Sequence, residues 1–229
     1  MLLMPQNQPD IPSPGDAAES SFVSRAGVKL AHALNIFGLD PRGLRCADLG
    51  CNVGGFTDCL LQRGAASVHA VDTGYGVLDW RLRNNPRVTV MERTNALHLV
   101  EKLPGATFDL IVIDLGWTAQ RLAIPAALRV LRPGGAIVSL VKPHYEVSAE
   151  VKASLPRGGA LSDAAARQAL DRVIAAMPGL GFEVAGVTES PIRGGKSSRQ
   201  GAGNVEYLMW GRPLAPQEPG HAVAVHVAL

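Results

Sequence analysis

The sequence predicts a doubly wound α/β fold: a mostly parallel, seven-stranded sheet with helices on both faces, Rossmann-like in plan. Three observations predict it. Short β-type runs alternate with helical patterns from about residue 22 to residue 210, which implies parallel strands joined by crossover helices. Several of those runs end in Gly or Asp, as strands do when they open into ligand-binding loops. A dense glycine loop, Gly50-Cys51-Asn52-Val53-Gly54-Gly55, follows the first run and opens a helical pattern.

The elements follow in order. Residues 1–20 contain Pro5, Pro9, Pro12 and Pro14 without periodicity, and read as a disordered leader. The folded domain is expected over 21–212. Ser24 is placed to cap a first helix carrying Leu30, Leu34 and Phe37, which Gly38 stops. Strands are predicted at Leu44–Leu49, Ser67–Val71, Val88–Met91, Phe108–Ile113, Ala136–Val141, Phe182–Thr188 and Val205–Trp210. Helices are predicted near Phe56–Arg63, Leu78–Arg83, Asn95–Lys102, Ala119–Leu131 (broken or kinked at Pro125) and Asp163–Met177. The tail 213–229 contains prolines and then alternates weakly, so an extra edge strand and a disordered end both remain open.

Composition narrows the function. With 47% hydrophobic residues there is material for a large core, yet no apolar run reaches the roughly 18–20 residues of a membrane span. The start lacks the basic and apolar regions of a secretory signal. Three cysteines, Cys46, Cys51 and Cys59, form neither a disulfide framework nor a zinc pattern. These features point to a reducing cytoplasm and to no metal. A net charge of +2 does not by itself announce nucleic acid. Arg193, Lys196 and Arg199 do share one short segment, and Arg25 stands near the first helix.

The glycine loop carries the strongest local signal. It begins Asp48-Leu49-Gly50 and ends Gly54-Gly55-Phe56, and the next strand ends in Asp72, 24 positions after Asp48. An acid there accepts hydrogen bonds from the hydroxyls of a ribose. The G-x-x-x-G-G spacing and the acid before the first glycine disfavour a dinucleotide, since Asp48 would repel a pyrophosphate. The cationic methionine end of S-adenosylmethionine tolerates that charge. The cofactor set is therefore Asp48, Gly50, Cys51, Asn52, Gly54, Gly55, Phe56, Asp72, Asn95 and Asp114. Asn95 is read as meeting the adenine edge, or else as capping the following helix.

Several segments together resemble a known family. They are Phe22-Val23-Ser24-Arg25-Ala26-Gly27-Val28-Lys29-Leu30, Asp48–Leu60, Glu92-Arg93-Thr94-Asn95-Ala96, Asp109–Asp114 and Lys142-Pro143-His144-Tyr145-Glu146. The resemblance is to the TlyA (hemolysin A) group of FtsJ-like ribosomal RNA ribose 2′-O-methyltransferases, which are class I enzymes using S-adenosylmethionine. It spans roughly residues 22–210. It implies a catalytic tetrad at Lys29, Asp114, Lys142 and Glu206; since a ribose hydroxyl must lose its proton during attack, and a lysine near another cation can have a lowered pKa, Lys142 is expected to be neutral at rest and to accept that proton. Asp114 would orient Lys142, Lys29 would stabilise the oxyanion, and Glu206 would hold Lys29.

The sequence departs from the group in two places. Only a proline-rich leader precedes Ser21, where the group carries an S4 RNA-binding module. Leu115-Gly116-Trp117 also replaces the group's Val-Ser-Phe. The expected partner is RNA, ribosomal in the resemblance, gripped through Arg25, Arg193, Lys196 and Arg199, with a helper RNA-binding protein supplying further grip. Two other readings follow from the same residues: a methyltransferase acting on a non-RNA acceptor, and a non-enzymatic cytolysin suggested only by the hemolysin name.

Overall fold

A computed structural model of the chain describes residues 22–148, 150–151, 161–195 and 203–215. Seven strands form one sheet in the order β3-β2-β1-β4-β5-β7-β6. They are β1 (Arg45–Leu49), β2 (Ser67–Val71), β3 (Val88–Met91), β4 (Phe108–Ile113), β5 (Leu131–Val141), β6 (Phe182–Glu189) and β7 (Tyr207–Pro213). The first five run parallel, and β7 lies antiparallel between β5 and β6. From β1 the chain winds outward to β3 and then returns to β4 on the other side. The carboxyl ends of β1 and β4 are thus the switch point where such sheets hold ligands.

Helices α1 (Ala26–Phe37), α2 (Gly55–Gln62) and α3 (Trp80–Arg83) cover one face. Leu30, Leu34, Phe56, Leu60 and Leu82 pack there with all three cysteines. Helices α4 (Leu99–Lys102), α5 (Gln120–Leu128) and α7 (Asp163–Ala176) cover the other, through Leu99, Ile124 and Leu170. A short α6 (Pro143–Glu146) follows β5. With both faces covered, β4 is buried along nearly its whole length, which explains its unbroken apolar run. Burial pushes the Cys46 and Cys59 thiols up to about 12, so neither is a nucleophile near neutrality. Among the described residues no helix is long and apolar enough to cross a membrane.

Three local expectations change. Helix α5 continues through Pro125 instead of breaking. The bond lost there belongs to the carbonyl of Arg121, an exposed residue, where water can replace it. The helix expected to Leu131 stops at Leu128, and β5 starts at Leu131 rather than Ala136. Its register against β4 jumps from Phe108↔Leu131 to Leu110↔Ala136, so Arg132, Pro133 and Gly134 bulge outward and exposed. Ser24 does not cap α1. Arg25 holds the cap position without a side-chain bond, and Ser24 offers its carbonyl to Gly27 N at 3.0 Å.

Ser24 instead faces the start of α2. A methyl group at Gly55 would collide with Ser24 Oγ and lie 2.8 Å from Ala26 Cβ and 2.9 Å from Gly27 N. This glycine therefore sets how closely α1 and α2 approach. Gly55→Ala should destabilise the fold by about 1–3 kcal/mol through overpacking, read as a lower urea midpoint with an unchanged m-value.

Candidate active site

Two cavities open at the carboxyl ends of the strands. The larger, about 520 Å³, is lined by Gly50, Asn52, Asp72, Asn95 and the segment Asp114–Thr118, among others. The loop beneath it is held from below. Gly50 N and Cys51 N both donate to Val71 O, at 2.8 and 3.1 Å. Gly50 has φ +90°, and a Cβ there would stand 2.5 Å from the Asp114 carbonyl oxygen, so glycine lets the ends of β1 and β4 touch. Asp72 accepts from Asn52 N (2.9 Å) and Gly74 N (2.7 Å), fixing the loop while its carboxylate borders the cavity. Three non-glycine residues of the described chain have positive φ: Asn52, Arg93 and Trp117. Asn52 and Trp117 both line this cavity, as strained backbone at functional sites often does.

Some cofactor expectations land elsewhere. Asp48 lines neither cavity and lies fully buried beneath the loop. It accepts from Thr57 N (2.8 Å) and Thr57 Oγ1 (2.7 Å), so it caps α2 from a distance, and its other oxygen has no hydrogen-bond partner. Burial raises its pKa to about 7, against the Thr57 bonds. Gly54 and Gly55 also line neither cavity; they are kept small by protein neighbours. Cys51 and Phe56 face the second cavity. Asn95 borders the large one, but its side chain accepts from Leu97 N at 3.0 Å, realising the helix-capping alternative.

The second cavity, about 300 Å³, is lined by Ser24, Arg25, Lys29, Asp114, Lys142, Gly194, Gly195 and Glu206, among others. Lys29 and Glu206, 6% and 4% exposed, form a buried ion pair. Lys142 Nζ lies 2.5 Å from Asp114 Oδ1. The register Val141↔Tyr207 sets Lys142 and Glu206 side by side. The expected tetrad therefore converges from α1, the ends of β4 and β5, and the start of β7. Gly50, Asn52, Asp114 and Lys142 line both cavities, so the two spaces meet at the Asp114–Lys142 pair.

One expectation is overturned in sign. Lys142 was read as neutral at rest. Burial does lower its pKa, but Asp114, by charge and hydrogen bond, and Glu206 raise it further, so the net shift is upward and the resting lysine is protonated. The basic segment also divides. Arg25 borders the second cavity and donates to Gly195 O at 2.6 Å. Arg193 lines neither cavity; both its terminal nitrogens donate to Asp163, at 3.1 and 3.0 Å, a pairing that competes with phosphate. Lys196 and Arg199 lie outside the described residues. Leu115 and Trp117, of the segment that departs from the family, line the larger cavity, and Thr94 and Thr118, which the sequence did not single out, line it too. Their signal was position alone, at the carboxyl ends of β3 and β4.

Two measurements test this geometry. Removing one partner of a buried pair typically costs about 3–5 kcal/mol, so Glu206→Leu should destabilise the fold by that order. Lys29→Met with Glu206→Leu should recover most of the loss in urea titrations. For Asp48 the folded pKa of about 7 exceeds its ordinary 3.8, so the folded chain binds more protons across that interval. Its contribution is full below about pH 4 and is lost as pH rises through about 7, at up to roughly 1.4 kcal/mol per pH unit. Unfolding free energies of wild type and Asp48→Asn, compared at several pH values, should diverge in that direction.

Comparison with known proteins fits this architecture. Residues 22–211 match the family described as FtsJ-like methyltransferase. The chain is 41% identical over 216 residues to the 16S/23S rRNA (cytidine-2′-O)-methyltransferase TlyA of Mycobacterium tuberculosis, covering 93% of this chain and 77% of that protein. It is 34% identical over 189 residues to Hemolysin A of Brachyspira hyodysenteriae, covering 82% and 75%. A crystal structure described as a hemolysin from Lactococcus lactis superposes with a TM-score of 0.75 at 34% identity, over 84% of this chain and 88% of that one. The sheet order, the paired cavities and the match over residues 22–211 agree: the chain belongs to the FtsJ-like methyltransferase family.

Proposed function

We propose that this enzyme methylates a ribose 2′-hydroxyl of ribosomal RNA, using S-adenosylmethionine. The observation that carries the reading is the meeting of the two cavities at Lys142 and Asp114, with Lys29 and Glu206 beside them. The larger cavity suits the cofactor: Asp72 offers a carboxylate to ribose hydroxyls, and the acidic surroundings of Asp72 and Asp114 suit a cation. S-adenosylmethionine supplies an electrophilic methyl group on a sulfonium. The 300 Å³ cavity takes the acceptor nucleotide, with Arg25 at its mouth to meet phosphate.

The chain's own residues then divide the work. Once its resting proton has passed to solvent, Lys142 accepts the hydroxyl proton, and Asp114 keeps the ammonium group aimed. Lys29, held by Glu206, faces the developing oxyanion. Two lysines and two carboxylates sum to no net charge, which lowers the penalty of burying all four. A ribosomal acceptor is met in the cytoplasm. Its folded RNA, or a helper protein, supplies grip that a chain of net charge +2 does not.

The test is to incubate the protein with methyl-labelled S-adenosylmethionine and either ribosomal subunits or free ribosomal RNA, and then digest to nucleosides. Label should appear as a 2′-O-methylribonucleoside; label on a base, or on no RNA, overturns the reading. Lys142→Ala should abolish turnover with cofactor affinity near wild type, whereas Asp72→Ala should weaken cofactor binding at least tenfold, about 1.4 kcal/mol or more. Because Asp114 and Glu206 hold the Lys142 pKa up, the rate should climb with pH well into the alkaline range.

A further inference from the structure

The segment 115–119 forms one side of the larger cavity through Leu115, Gly116, Trp117 and Thr118. The turn that carries Lys142 grips both ends of this segment. At one end Lys142 pairs with Asp114 and lies 3.4 Å from Leu115 O. At the other, Glu146 Oε1 accepts from Gln120 N at 2.9 Å. Helix α5 has Ala119 at its cap position and no side-chain cap there. Glu146 thus supplies, from α6, the carboxylate that a helix amino terminus favours. Gln120 passes the connection inward. It is 4% exposed, accepts from Ser139 Oγ at 2.7 Å, and donates to Leu140 O at 3.2 Å. Both bonds reach β5 just before Lys142.

We propose that Glu146 is a positioning residue for methyl transfer: by capping α5 across the gap it locks segment 115–119 against the Lys142 turn and holds Lys142 in line with Asp114. The role rests on Lys142 being the base. Its physical consequence is specific. Lys142 faces Asp114 from β4, Glu206 from the start of β7 and Tyr145 from α6, with Lys29 behind Glu206. Burial alone would favour the neutral amine, and these carboxylates oppose it. If the Asp114 contact slackens, burial is less opposed and the lysine loses its proton at lower pH.

The experiment measures kcat, cofactor affinity and the pH–rate profile of wild type, Glu146→Ala and Glu146→Gln, with melting temperatures alongside. Glu146→Ala should lower kcat at least tenfold, weaken cofactor binding severalfold and move the ascending limb to lower pH. Glu146→Gln keeps an oxygen for Gln120 N and should restore at least a third of the rate and the wild-type limb. A Glu146→Ala enzyme with an unmoved limb, or a Glu146→Gln enzyme as impaired as the alanine variant, overturns the positioning role. Lys142→Ala separates the two ideas: an active variant overturns the base assignment. An inactive one with an unmoved Glu146→Ala limb overturns only the role of Glu146.

Discussion

The ion pair between Lys142 and Asp114 is the wall between two rooms. One cavity holds the features of a nucleotide site and the other a buried polar cluster, and both end on this pair. In the function proposed above, a methyl group passing between them crosses here. The fold's task is therefore to bring the ends of β4 and β5 together at that distance and keep them there. Parallel pairing sets the strand ends level, and the Asp114 N to Leu49 O bond ties the end of β4 to β1. Glycine at position 50 permits that contact because no side chain intrudes. Burial lowers the Lys142 pKa, and the Asp114 and Glu206 carboxylates raise it further, so the carboxylates and not burial set the resting charge of the lysine.

The sequence was most readable where one physical cause dominates. Strand alternation and the glycine loop each follow from one requirement, and the sheet order agrees with them; the lysines and carboxylates came from the family resemblance, and Lys29, Asp114, Lys142 and Glu206 line one cavity together. It was least readable where causes compete. Lys142 feels burial and two carboxylates of opposite effect, and only distances decide the balance. Asn95 had two readings, and the one visible within the protein is the cap, in which its Oδ1 accepts from Leu97 N while the residue still borders the larger cavity. The sequence neighbours of Arg193 are basic, and its ion-pair partner Asp163, 30 residues away, is visible only in space. Gly54 and Gly55 were assigned to a ligand, yet the atoms that exclude a side chain there belong to the protein.

The same competition explains why polar groups beneath the loop escaped notice. Asp48 reads as a ligand-facing acid in any linear view. In three dimensions it substitutes for a missing cap on α2, whose first residues are glycines chosen for tight packing. Glu146 does the equivalent for α5. In both cases the cap residue, Gly54 or Ala119, has no side chain that can accept a hydrogen bond, and a carboxylate from another element takes that place.

The antiparallel β7 has a consequence in time as well as space. Entering the sheet against the direction of its neighbours, it delivers its first residues, not its last, to the end where the cavities open. Glu206 thereby reaches Lys29, 177 positions earlier in the chain. During synthesis Lys29 leaves the ribosome 177 positions ahead of its counter-charge, which arrives with the last strand of the sheet. Until β7 slots between β5 and β6, the nascent sheet carries a gap in its ladder and a lysine with no carboxylate to meet. The insertion that completes the sheet therefore also completes the cluster of two lysines and two carboxylates.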